Sequence, residues 1–164
     1  MIRNIFVYFV PLAFIFGCQS PQPPETKQSD VVAPPPTATK PVQALKYPSI
    51  SVDTLIKVFN EANYLDAIYY ELPISMSQNE QSSIRQTLTF ISDSPAIIFP
   101  DCEPIGRYFF QKDGEDMLVA DFYFGNKCYA FVFMKDGKPR FGNKLTAEGK
   151  AYYEKIFKKF NLPI

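Results

Sequence analysis

The chain contains no histidine and no tryptophan. Histidine is the most frequent general base and metal ligand near neutral pH, so its absence removes the commonest route to a catalytic or metal centre. Without tryptophan, the paired tyrosines Tyr69–Tyr70 and Tyr152–Tyr153 are poor candidates for stacking on sugars; each pair is expected to supply one core ring and one surface ring. No glycine-rich loop follows a strand pattern to cradle a phosphate, and no cysteine pair has zinc spacing. Neither sign of charge dominates: 17 basic residues stand against 17 acidic ones, with no basic block of the kind nucleic acid requires. No cofactor, no nucleic acid and no enzymatic activity are expected from this inventory.

What is present begins at the N-terminus. Arg3 precedes an apolar run over 5–16, which ends at Gly17 and Cys18. The run is 12 residues long, well short of the ~20 a spanning helix needs, and Pro11 interrupts it. Gln19-Ser20-Pro21 follows in place of a basic stop-transfer cluster. This is the layout of a cleaved secretory signal. Ile15-Phe16-Gly17-Cys18 resembles the lipobox of bacterial lipoproteins. The resemblance implies that residues 1–17 are removed and that Cys18 is acylated as the first residue of the mature chain. Its acyl chains, with methylenes worth ~0.8 kcal/mol each, would hold the protein at a membrane of the bacterial envelope. Gln19 lacks the aspartate that marks inner-membrane retention in some enteric bacteria, so the expected place is the outer membrane, facing the periplasm.

Residues 18–48 read as a tether. Eight of the 15 prolines fall within 19–48, and Tyr47 is the only aromatic there. Such a stretch buries too little apolar surface to offset its ordering entropy and favours polyproline II, reaching up to about 90 Å when extended. Pro21-Gln22-Pro23-Pro24 also resembles a docking ligand, but the modules that read such ligands are cytoplasmic, so a plain tether is preferred. Residues 49–164 then form one domain, with 20 of the 26 aromatics and 13 basic residues against 15 acidic.

In that domain, Val52, Leu55, Phe59, Ala62, Leu65, Tyr69 and Leu72 recur at spacings of three and four, which predicts a helix over 52–72, capped by Ser51 or Asp53, weakened in its middle by Asn60 and Asn63 as a point where it can break, and ended by Pro73. Ser77 and Glu80 have capping-box spacing and predict a second helix, with Ile84, Leu88 and Ile91 as its stripe. Strand patterns follow over 96–99, 105–111, 117–124 and 127–134. Asp113-Gly114, Gly125-Asn126 and Asp136-Gly137 supply the tight turns. Thr146 caps a last helix to about 160, with Tyr153, Ile156, Phe157 and Phe160 on one side. The expected fold is α+β: an antiparallel β-meander of three to five strands, two N-terminal helices and one C-terminal helix.

With two-residue turns, Arg107 and Phe109 share a face with Leu118, Ala120 and Phe122, while Tyr108, Phe110, Val119, Tyr123 and Val132 share the other. Both faces are apolar or aromatic, so helices can cover one and the other must meet more of the chain, a partner or a ligand. Tyr108, Phe110 and Tyr123 are the candidate binding residues of that second face. Asp121, placed mid-strand with Gly106 and Ala130 as small neighbours, is a fourth candidate, either a rim position or a pocket acid.

Cys102 and Cys128 are the two cysteines left once Cys18 is acylated, and in an oxidising compartment they are expected to pair. Asp101 and Glu103 would raise rather than lower a Cys102 thiol pKa, so a nucleophile is disfavoured, and a cation site at these two acids is weaker than a solvated loop. Three roles remain. A non-catalytic binding domain tethered in the envelope, with a protein partner there, is preferred. A small inhibitor or immunity protein against an envelope hydrolase or toxin is second. An enzyme built on Asp121 with Glu103 or Asp116 is last.

Overall fold

The computed structural model describes residues 43–161, so the expected signal peptide, Cys18 and most of the tether lie outside the described residues. A two-residue strand, β1 (Leu45–Lys46), already belongs to the domain, which therefore begins before the expected boundary at 49. Helix α1 (Val52–Glu61) follows, and the Ser51 hydroxyl caps it by accepting from the Thr54 N–H at 3.2 Å. The helix expected to reach 72 stops at Ala62, and β2 (Tyr64–Tyr69) takes over. Asn63 forces the change. Its N–H donates to the Gln111 carbonyl at 2.9 Å, its Nδ2 donates to Asp113 Oδ1 at 2.7 Å, and its Oδ1 accepts from the Asp113 N–H at 3.0 Å. Leu65 and Tyr69 fitted the helical stripe because a spacing of four is one helical turn and also two strand repeats.

The second expected helix also starts later. Ser77 lies in β3 (Ser75–Gln78), where its hydroxyl donates to Asp66 Oδ1 at 2.8 Å, and Glu80 makes no side-chain cap bond. Helix α2 (Gln81–Thr89) buries Ile84 and Leu88, while Ile91 opens β4 (Ile91–Pro95). The remaining elements are β5 (Ile97–Ile98), β6 (Gly106–Lys112), β7 (Glu115–Gly125), β8 (Cys128–Lys135), β9 (Lys138–Leu145) and α3 (Ala147–Lys159). Seven strands form one antiparallel sheet in the order β3-β2-β6-β7-β8-β9-β4. The fold is α+β, with a larger sheet than the sequence suggests and with β2 and β3 standing between the first two helices.

Strands β6, β7 and β8 form the expected consecutive meander, but its register differs. Asp113 and Gly114 occupy the β6–β7 turn with φ of 53° and 87°, as a tight hairpin requires. Lys112 faces Glu115 and Gln111 faces Asp116, after which the pairing slips so that Phe110 faces Leu118. Met117 is the extra residue of a β-bulge. A slip of one residue exchanges the faces of β6 relative to β7. Tyr108 and Phe110 therefore point into the core and are wholly buried, and Arg107 and Phe109 take their places on the second face. The β7–β8 turn is Asn126-Lys127 instead of Gly125-Asn126, a shift that preserves the faces.

The helices cover the first face. Tyr153 and Phe157 of α3 are fully buried against Phe122 and Phe124, at ring-centroid distances of 4.6 and 5.2 Å. Phe160, expected to share this role, is exposed. Thr146 caps α3 as expected, its hydroxyl accepting from the Gly149 N–H at 3.1 Å.

Part of the second face is also covered, by chain and not by helix. β1 pairs with β5, and the segments on either side wrap over β9. The Gly142 N–H donates to the Pro48 carbonyl at 2.8 Å, and the Ala96 N–H donates to the Gly142 carbonyl at 2.7 Å. Only glycine fits here, since a Cβ would stand 2.9 Å from that of Tyr47 and 3.0 Å from that of Ala96. Ala96 and Ile98 then pack on Cys128, Ala130 and Val132, with Tyr47 and Tyr123 at the margin. The Cys102–Cys128 disulfide, with Cα atoms 6.2 Å apart, pins the end of this cover. Because 96–102 curls across the sheet, the sulfurs meet although a strand separates Cys128 from the start of β6. Closing a loop of 26 residues contributes about 3.5 kcal/mol in the chain-entropy picture.

Candidate functional site

The uncovered half of the second face lies on β2, β6 and β7. Cross-strand neighbours share a face, so Ile68, Arg107 and Asp121 form one row, and Asp66, Phe109 and Val119 form the next. Ile68 and Tyr70 are 46% and 50% exposed, whereas Leu65, Ala67 and Tyr69 between them are buried. Beyond Asp121 the first row continues to Val132, which is buried beneath the cover. The edge of the exposed region thus runs between β7 and β8.

Its centre is an ion pair. Arg107 Nε donates to Asp121 Oδ1 at 2.7 Å, and the Tyr70 hydroxyl donates to the same oxygen at 3.3 Å. The two side chains differ in solvation, 37% exposed for Arg107 and 10% for Asp121. The hydrogen bond to Asp121 holds the Arg107 guanidinium even more firmly protonated. Burial, and then the Asp121 charge, raise the Tyr70 hydroxyl. Tyr123 is pushed up to about 12, by burial first and by the Asp121 charge second. All three groups therefore keep their neutral-pH charge state.

Two recesses adjoin it. A groove of about 540 Å3 is lined by Tyr70, Glu71, Leu72, Glu103, Pro104 and Ile105. A smaller one, about 250 Å3, lies between Arg107, Met117, Val119, Met134 and Asp136. A further recess, of about 620 Å3, lies elsewhere, between α1 and the β6–β7 turn, and the Lys112–Glu61 ion pair at 3.0 Å lies on its wall.

Of the four candidate binding residues, the structure keeps two at this surface. Asp121 and Tyr123 belong to it; Tyr108 and Phe110 sit in the core, moved there by the bulge at Met117. Asp121 is neither a bare pocket acid nor a water-facing rim position, because Arg107 occupies the place expected for Gly106. Asp116, its suggested catalytic partner, bonds to Gln111 Nε2 at 2.8 Å. Among the described residues no cluster of three or more Cys, Asp or Glu side chains is placed to hold a metal ion. Ile68, Tyr70, Arg107 and Phe109 were not legible as one surface. The alternation Leu65, Ala67, Tyr69 against Ile68 and Tyr70 was the available signal, masked by the helical reading of the same residues.

Comparison of the chain with protein-family models, with curated proteins and with solved structures finds no match.

Proposed function

We propose that this chain is a lipid-anchored protein of the bacterial envelope whose domain binds another protein through the uncovered half of its sheet. The anchor rests on the lipobox resemblance at Ile15-Phe16-Gly17-Cys18. The binding role rests on one observation: the exposed Ile68 and Tyr70 and the half-buried Phe109 and Val119 surround an Arg107–Asp121 ion pair on the part of the second face that the 96–102 segment leaves uncovered. Large apolar side chains around a fixed Arg are the composition of an interface centre. In this reading the domain acts by binding. An inhibitor of an envelope hydrolase would use the same face, and the identity of the captured protein decides between these roles.

A photo-crosslinking residue placed at Phe109 in cells should trap a partner, and the same residue at Phe160, on α3, should not. Ile68→Asp should abolish the Phe109 crosslink while leaving the fold intact. Equal trapping at both positions, or at neither, would refute the surface. Mass spectrometry of the native N-terminus tests the anchor: an unmodified Cys18 or an intact Met1 would refute it.

A further inference from the structure

We infer that the groove beside the exposed face accepts a lysine or arginine side chain, and hence that the partner presents a basic segment. This rests on the binding role proposed above and specifies its chemistry. The groove has rigid walls. The Tyr70 N–H donates to the Ile105 carbonyl at 3.0 Å, and the Ile105 N–H donates to the Phe122 carbonyl at 2.8 Å, so 70–72 and 103–105 are held side by side on the sheet. Cys102, one residue before Glu103, is tied by its disulfide to β8. Leu72, Pro104 and Ile105, all half-buried, provide an apolar floor suited to the methylene stem of a long cationic side chain. The half-exposed Tyr70 ring offers a face to the charge itself.

The charges choose the sign. Glu71 and Glu103 are both exposed on the groove, and neither forms an ion pair among the described residues. Arg107, which lies beside Tyr70 of the groove, is already engaged by Asp121. The strands add Asp66 and Asp116, whose hydrogen bonds among the described residues go to the neutral Ser77 and Gln111; neither forms an ion pair there, and both add negative charge to this face. A basic segment gains attraction along this surface, and an acidic one is repelled.

The test is an NMR titration of the isotopically labelled full chain with two capped pentapeptides, one alternating valine and arginine and the other valine and glutamate. The basic peptide should shift the amide signals of Glu71, Leu72, Glu103 and Ile105, increasingly so at low salt, and the acidic peptide should not. Glu71→Gln with Glu103→Gln should weaken the basic peptide roughly fivefold or more, as expected for the loss of two exposed ion pairs. Equal response to both peptides, shifts confined to other parts of the domain, or unchanged affinity in the double variant would overturn the assignment. Crosslinking from Phe109 separates the two claims. If Ile68→Asp removes the crosslink and the glutamine variant does not, the basic-segment assignment falls and the surface stands. If neither removes it, both fall.

Discussion

The Arg107–Asp121 pair should be strongly asymmetric to mutation, because its two halves are unequally solvated. Removing Arg107 as Arg107→Met leaves a carboxylate only 10% exposed, with the Tyr70 hydroxyl at 3.3 Å as its remaining partner. Breaking a fully buried pair costs about 3–5 kcal/mol, mostly as the penalty of the stranded charge. Here the Arg107 side chain is 37% exposed and water reaches the pair, so screening reduces the loss to about 1–2 kcal/mol. For a domain of this size that is a fall in Tm of roughly 4–8 °C. Asp121→Asn strands far less. The amide oxygen still accepts from Arg107 Nε, and the guanidinium is solvated well enough to lose less than about 1 kcal/mol. Replacing both groups, as Arg107→Met with Asp121→Val, removes the stranded charge and should recover stability to within about 0.5 kcal/mol of the parent. Urea unfolding at neutral pH, followed by circular dichroism, measures all four proteins. Asp121→Asn costing as much as Arg107→Met, or a double variant less stable than either single one, would refute the reasoning.

Two further perturbations probe the frame that carries the site. Gly149→Ala, in the first turn of α3, should destabilise the domain by about 1–2 kcal/mol in spite of the ~1 kcal/mol that alanine gains over glycine in a helix. The new Cβ would stand 2.6 Å from the Cβ of Phe90 and 3.2 Å from its Cα, atoms fixed to the backbone that no rotamer change can move; equal or higher stability in urea would sink this account. The domain should also unfold in alkali. Burial pushes Tyr69 up to about 12 and raises Tyr108 and Tyr153 well above the ordinary tyrosine range. A folded-state value above the unfolded one means the stability is complete below about pH 10 and is lost as pH rises through 12, with Tyr69 alone accounting for roughly 2–3 kcal/mol. Tyrosinate absorbance should rise together with loss of circular dichroism, and full ionisation with the dichroism intact would contradict the buried placement.

Local chemistry was legible wherever one residue's own backbone demands settle the outcome. Ser51 and Thr146 cap their helices, Asp113-Gly114 and Asp136-Gly137 take the positive φ their turns need, and the meander follows from those turns. The Cys102–Cys128 bond followed from the count of cysteines and the expected compartment. The stretch 64–72 misled because four-residue spacing suits helix and strand alike, and Asn63 settles it through bonds to Gln111 and Asp113 about 50 positions away. Strand β9 has no counterpart among the expected strands: Pro139, Arg140, Gly142, Asn143 and Lys144 give no apolar alternation, yet Phe141 and the bare backbone of Gly142 are what its neighbours require.

By itself, then, the sequence determined the caps at Ser51 and Thr146, the Asp113-Gly114 and Asp136-Gly137 turns and the cysteine pair, since each depends on a few adjacent residues or on composition. Which residues form the exposed face was decided by tertiary structure. A single unpaired residue at Met117 turned Tyr108 and Phe110 inward and Arg107 and Phe109 outward, and the wrap of 96–102 over Gly142 covered one half of the face. A bulge and a cover both arise from contacts between distant segments, and neither leaves a local pattern by which it could be recognised.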